Sequence, residues 1–478
     1  MFDVVIIGAG IIGSSIAQSL SRFSLNVLVM EAHEEISSET SKANSGISHA
    51  GFDAEPGTLK ARFNVLGNSM YKKLTKELDI PYEQNGSLVL CFQEEDMPRL
   101  QLLYDQGIKN GVPDLRILEK DEVLKLEPNV SENIYRALYA PTGGIISPYE
   151  ATIAFAENAF INGVNFKLNC RVQSITKKED HYIINTSGES VLARFIVNAA
   201  GLYSDEINNL ISEKKYSIIP RRGEYILTDK MEEGFLSKTL FQLPTKLGKG
   251  VLVTPTMHGG LLIGPSSEDI LDKGDFDTTS DVIKKVIETA SMSVKSLPVS
   301  STITSFAGLR ANLSNFDDFI VEKLDGENFI NAVGINSPGL TSAPAIAEYI
   351  SNIIADVLDP KEKLYFNPYR VSIKRFNELS LKEQNELIKE NSAYGQIVCR
   401  CETVTEAQVV DAIRRQPGAT TLDGIKRRVR CGMGRCQGGF CTSKVMEIMC
   451  RELGKSPFDV TKFGEGSNLI VNHIKDDL

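Results

Sequence analysis

Two groups of residues in this chain are spaced for chemistry. In "FDVVIIGAGIIGSSIAQSL", Gly8, Gly10 and Gly13 form G-x-G-x-x-G. The first glycine permits a tight turn, the second lets backbone approach a pyrophosphate, and the third allows close helix–strand contact. Glu31 follows where a carboxylate can bind ribose hydroxyls, which disfavours a 2′-phosphate and hence NADP. FAD and NAD share this fingerprint. The second group comprises five of the eight cysteines, in "VCRC" and "RCGMGRCQGGFC". Cys399-x-Cys401 and Cys436-x4-Cys441 are two close pairs, with Cys431 beside them. Four thiolates can hold a [2Fe–2S] cluster or zinc, though C-x-C is an unusual spacing for structural zinc.

The elements around the glycines agree with a dinucleotide site. Residues 3–7 (DVVII) read as a buried parallel strand, Ile12 to Arg22 has helical spacing, and Asn26–Met30 (NVLVM) reads as a second strand. This βαβ unit would aim a helix N-terminus, with its partial positive charge, at phosphate. Two further small-residue turns follow strands, "VNAAGLYSD" at 197–205 and "VGINSPGLTSAPA" at 333–345. Three such turns on one sheet suit a long ligand such as FAD better than NAD. The second of these helix starts could stabilise negative charge on a reduced flavin ring.

Between these turns, residues 85–140 read as charged helical stretches, 181–197 and 215–300 as strands and turns, and 280–296 as a helix. After Pro360 the chain turns polar and reads as a connector with one helix. Helices are expected at 404–415 and 442–453 in the cysteine-bearing module, and a loosely packed tail after it.

At 478 residues the chain is too long for one core and predicts two or three domains. A net charge of −10 argues against nucleic acid as partner. Eight cysteines are too few for a disulfide scaffold, and their clustering points to a metal or redox site in a reducing compartment. The apolar N-terminal run has Asp3 where a signal peptide would be basic, and no membrane span is expected. The expected location is cytoplasmic, at most peripheral to a membrane through a partner.

Taken together, "DVVIIGAGIIGSSIA", "SKANSGISHAGFDAEPGTLKARFNVLG", "TGGIISPYE", "PRRGEY", "PTMHGGLLIGP", "FAGLRAN" and "GINSPGLTSAPA" resemble the glycine/D-amino-acid oxidase-like flavoproteins. The resemblance covers about residues 1–365. It is strongest to the branch of L-2-hydroxyglutarate oxidases and FAD-dependent glycerol-3-phosphate dehydrogenases. It implies an α/β fold with a Rossmann-type FAD-binding domain and an interleaved α+β substrate domain on a mixed sheet. The substrate part would span roughly 85–140 and 215–300.

The same resemblance implies FAD, held by its adenine end at Gly8, Gly10, Gly13 and Glu31, near the ring at Ser45, Gly46, Gly334, Gly339, Leu340 and Thr341, and also at Ala200 and Gly201. His49 and His258 become candidates to take the substrate proton as hydride leaves. Arg310 becomes the anion anchor, since its guanidinium forks onto a carboxylate or phosphate. Arg222 and Lys42 are weaker candidates for that role.

The C-terminal stretch resembles the bacterioferritin-associated-ferredoxin-like [2Fe–2S] domain, small and mainly helical. This resemblance implies Cys399, Cys401, Cys436 and Cys441 as ligands and leaves Cys431 as a bystander. The implied divisions are 366–395 as connector, 396–455 as the cluster domain and 456–478 as tail. The basic residues around the cysteines, from Arg400 to Arg435, could offset the anionic cluster or dock an acidic partner.

The expectation is an FAD-dependent dehydrogenase of a small anionic alcohol, first glycerol 3-phosphate, then L-2-hydroxyglutarate, then an amine or amino acid. Its electrons would pass through the cluster to a protein acceptor. A non-catalytic flavin/iron–sulfur carrier and an NAD-linked dehydrogenase are the competing classes.

Overall fold

A computed structural model describes residues 1–244 and 250–472. The substrate part expected at 215–300 and the tail at 456–478 each include residues outside these. Five parallel strands form the centre of the first sheet, in the order Phe329–Val333, Ser190–Asn198, Phe2–Ile7, Val27–Met30 and Asn165–Lys167. A hairpin of Val172–Lys177 and Tyr182–Thr186 extends it through Ser190–Asn198, and Ile320–Lys323 pairs antiparallel with Phe329–Val333. Val4, Val5, Ile6, Val27 and Val29 are fully or almost fully buried, as a parallel sheet covered on both faces requires. Helices Ile11–Leu20, Pro148–Ile161 and Gly339–Leu358 pack on this sheet and share its core.

The second sheet has nine strands and is assembled from two separated stretches of chain. Ser87–Cys91, Arg116–Glu119 and Arg136–Ala140 come from the first stretch. The region read as charged helices therefore also contributes strands; its helices are Met97–Asn110 and Lys120–Leu126. Their short apolar runs (SLVLC, RILE, RALYA) carry too little periodicity to separate from helix. The longest pairing in this sheet joins Ile218–Thr228 to Thr302–Leu313 and sets Arg221 opposite Arg310.

The C-terminal module has its own core around Val409, Ile425, Val445 and Met449, built by helices Glu406–Arg414, Leu422–Val429 and Thr442–Leu453. The middle helix was not expected from the sequence. Its basic "KRR" masked a short amphipathic turn whose Ile425 is fully buried. The first part of the connector, as far as Arg375, lies on the flavin domain. Lys363 N–H donates to Arg22 O at 2.8 Å, Asn367 N–H to Asn162 Oδ1 at 2.9 Å, and Arg370 N–H to Glu77 O at 2.9 Å. Nor is the tail loose up to Thr461. Val460 is fully buried, and Leu422 and Asp423 N–H donate to Thr461 O and Lys462 O at 3.1 and 2.8 Å. Among the described residues, no helix is long and apolar enough to cross a membrane.

Candidate functional site: a dinucleotide channel, an anion pocket and a thiol cluster

The glycines of the first turn are enforced sterically. Gly8 has φ +109°, and a Cβ there would meet Ala199 O at 2.4 Å. A Cβ on Gly13 would meet Gly8 O at 1.9 Å, which locks helix against strand. Gly10 precedes helix Ile11–Leu20 and offers no side-chain cap, and the Ile11 N–H donates instead to Ser41 Oγ at 2.9 Å, beside the channel. Glu31 is buried at the end of the second strand and accepts from Ala9 N–H at 2.7 Å and His33 N–H at 2.9 Å. Burial pushes its pKa up against those two bonds. The carboxylate thus braces the glycine turn as well as lining the cavity that holds Gly201 and Arg171.

That cavity shares Gly10, Ser41 and Gly201 with a second one, bordered by Ser45, Gly46, Gly339 and Leu340. The two form a continuous channel from the adenosine end of the turn to the start of helix Gly339–Leu358. The helix begins after Pro338 without a side-chain cap. Gly334 turns the chain into it with φ +69°, where a Cβ would meet Leu313 at 2.6 Å. Thr341 Oγ1 accepts from His49 N–H at 2.9 Å and donates to Ile47 O, so it ties the helix start to the "SGISHAG" loop. Ser45 and Tyr225 hydroxyls approach to 3.3 Å, and Tyr225 stacks on Phe306 at 5.0 Å. Tyr225 was not singled out in the sequence, although "PRRGEY" contained it. A cradle of glycines, two helix starts bordering the cavity and a length of channel fit FAD. Ala200 adjoins the channel beside Gly201.

At the ring end the channel opens through His49, Arg310, Asn336 and Pro338 into a surface cavity of ≈ 300 Å³. His49 is held by its backbone and leans on Phe241 at 5.7 Å. Arg310 donates from Nη2 to Ser266 O at 2.9 Å. No carboxylate pairs with it among the described residues, whereas its neighbour Arg221 is committed to Asp269 at 2.6 and 2.9 Å. Burial pushes the Arg310 pKa down, with no ion pair to offset the cost. This is the arrangement of a guanidinium awaiting an anion.

His258 is elsewhere. It lines a cavity against the C-terminal module and lies 2.7 Å from Glu150, which also accepts from Arg375 at 3.2 Å. Burial pushes Glu150 up, but His258, Arg375 and Arg430 outweigh it and draw its pKa down to about 2. The geometry therefore separates His258 from His49 and Arg310. Arg222 is paired with Glu268 at 2.8 Å and Asp275 at 2.7 Å, so it serves the sheet rather than an anion. Lys42 also faces the module, on the side of the channel away from Arg310.

Five of the module's six cysteines group together, and Cys450 stands apart on helix Thr442–Leu453. Cys399, Cys431 and Cys441 are buried with sulfurs within 4.8 Å of one another. Cys401 Sγ lies 3.6 Å from Cys436 Sγ. The sulfurs thus group across the fold and not by their spacing in sequence, and Cys431 is among them. A thiolate-rich, partly buried pocket fits a [2Fe–2S] cluster. Glu402, next to Cys401, accepts from Arg430 at 2.9 Å and pairs with Lys230 of the flavin domain at 3.3 Å. Arg428 reaches Glu35 of the flavin domain at 2.9 Å, both almost wholly buried. Arg435 pairs with Asp229 at 3.1 Å. Much of the module's positive charge is therefore spent on docking to its own chain.

Residues 3–353 match the FAD-dependent oxidoreductase family DAO, and residues 397–451 match the BFD-like [2Fe-2S] binding domain. The chain is 52% identical to a glycerol 3-phosphate dehydrogenase of Caloramator mitchellensis, over the full length of both. It is 32% identical over 284 residues to human mitochondrial L-2-hydroxyglutarate dehydrogenase, covering 56% of this chain and 61% of that one. A solved structure of the Mycoplasma pneumoniae L-alpha-glycerophosphate oxidase with FAD bound aligns at TM-score 0.73 and 32% identity, covering 77% of this chain and 98% of that one. The chain belongs to the DAO family of FAD-dependent oxidoreductases and carries a C-terminal BFD-like [2Fe–2S] domain.

Proposed function

We propose that this oxidoreductase converts sn-glycerol 3-phosphate to dihydroxyacetone phosphate and passes the electrons through its [2Fe–2S] centre to a protein acceptor. The carrying observation is the surface cavity in which Arg310, part-buried and without a carboxylate partner among the described residues, stands with His49 at the mouth of the dinucleotide channel. Bound FAD supplies the hydride acceptor at N5, and the cluster a one-electron carrier. Arg310 binds the phosphate through its free guanidinium edge. His49 takes the hydroxyl proton, its ring positioned by backbone bonds to Thr341 and Asn64 and by contact with Phe241. The full-length similarity to a protein named glycerol 3-phosphate dehydrogenase supports phosphate over carboxylate as the anion. The clustered free thiols suit a reducing compartment such as the cytoplasm.

Anaerobic mixing of the holoenzyme with glycerol 3-phosphate, L-2-hydroxyglutarate or sarcosine, while following flavin bleaching, tests the reading. Glycerol 3-phosphate is expected to bleach fastest. Faster bleaching by 2-hydroxyglutarate would reassign the substrate, and no bleaching by any of them would leave the carrier class standing. Arg310→Ala should raise the KM for glycerol 3-phosphate by roughly 10- to 100-fold at unchanged FAD content.

A further inference from the structure

A second cavity, of ≈ 320 Å³, lies between the flavin domain and the C-terminal module, and the proposed reaction makes no use of it. Its size falls within the range of small-molecule sites. One wall is apolar, built by Ile145, Leu227, Leu262 and Phe306. At one end it meets Ser45 and Gly46, which also border the dinucleotide channel; at the other it meets Met433 and Gln437 of the cysteine loop.

The opposite wall carries Lys42, Lys426 and Arg427. Arg427 is only 4% exposed, and its Nε has no hydrogen-bond partner. Two of the acids on this cavity are already committed, Glu402 to Arg430 and Lys230, and Asp229 to Arg435. Asp423 faces all three cations; Glu35 also acts on Arg427 and Glu39 on Lys42, but these two are bound to Arg428 and His33. Burial pushes the pKa of both lysines down, and Arg427 repels each of them further. Keeping a guanidinium and two ammonium groups together in a part-buried wall, with Asp423 the one carboxylate not committed to another cation, is costly without a further anion.

The geometry points to a second ligand site here, for an amphipathic anion. Its phosphate or carboxylate group sits against Arg427, Lys426 and Lys42, and its apolar body lies along Leu227 and Phe306. An arginine fork with two flexible ammonium groups recognises either oxyanion, so the anion's identity is left to the experiment.

The test uses holoprotein with FAD and cluster content measured by absorbance. The probe is 8-anilinonaphthalene-1-sulfonate, an apolar aromatic body carrying an anion, followed by fluorescence. One saturable site is expected, displaced by inorganic phosphate or by acetate at matched ionic strength; whichever competes identifies the oxyanion. Arg427→Met should weaken the probe by about tenfold or more, with FAD and cluster retained. Lys426→Met, at a less buried position, should weaken it several-fold and keeps the test valid if the first variant does not fold. Unchanged probe binding in both variants, or displacement by neither anion, would overturn the proposal. Loss of FAD in place of probe affinity would overturn it too, by assigning these cations to the dinucleotide. None of these readouts depends on the substrate, so the site can fail while the catalytic reading stands.

Discussion

Replacing Arg428 by Met should undock the C-terminal module without unfolding the flavin domain. Arg428 and Glu35 have side chains only 1% and 2% exposed and meet at 2.9 Å across the boundary between the two. Removing one partner of such a pair strands the other charge in low dielectric, a loss of about 3–5 kcal/mol. Glu35 keeps the Thr420 and Thr421 N–H donors at 2.6 and 3.0 Å, which places the expected loss near the lower end, about 3 kcal/mol. Two carbonyls inside the module, Gly424 O and Pro417 O, also lose a donor from Arg428. The assay is denaturant unfolding followed by two signals, flavin fluorescence on FAD release and the visible circular dichroism of the cluster. In the parent protein the two transitions should lie close together; in Arg428→Met the cluster signal should be lost first. The double variant Glu35→Gln/Arg428→Met, which removes both charges, should recover a measurable part of the loss. A single variant that unfolds within about 0.5 kcal/mol of the parent would refute the argument that this pair holds the modules together. So would a double variant no more stable than the single one.

Three further outcomes are expected. Cys436→Ser should abolish the iron–sulfur absorbance while Cys431→Ser keeps it; the opposite pattern would make Cys431 a ligand, which its place beside Cys399 and Cys441 allows sterically. His49→Gln should slow anaerobic flavin reduction by roughly 10²–10⁴ with little change in KM, and a slowing under about tenfold would remove His49 from proton transfer. Glu150, with a pKa drawn from 4.5 down to about 2, contributes stability that is complete above its ordinary value and lost as pH falls toward 2. The stability difference between the parent and Glu150→Gln should therefore be constant from roughly pH 7 to 5 and shrink below that. A difference that widens on acidification would contradict the assignment.

The dinucleotide half was legible because its constraints are local. Gly8 and Gly13 each face a backbone oxygen that a Cβ would strike, so the residue type itself records the turn. The cysteines were legible as a cluster, but not in how the sulfurs group. Spacing pairs Cys399 with Cys401, whereas the fold turns Cys399 toward Cys431 and Cys441 and leaves Cys401 to Cys436. His258 shows the other limit. Its motif context resembled that of a substrate-side histidine, yet its partner Glu150 lies on a different element, and only tertiary packing reveals which cavity it lines. The basic run from Lys426 to Arg430 looked like a solvated or partner-facing surface, since no sequence pattern marks a cation whose counter-charge, Glu35, lies near the other end of the chain.

The connector laid along the flavin domain sets the order of any internal electron exchange. Many multi-centre redox proteins carry a mobile centre on a swinging arm, so its rate depends on the arm's search through solution. Here Lys363, Asn367 and Arg370 fasten the arm, and Gln408 of the module donates to the connector's Lys374 O at 3.0 Å. On the proposed route, passage between the two centres would then be a first-order event within one docked chain, and solvent viscosity should leave this exchange unchanged.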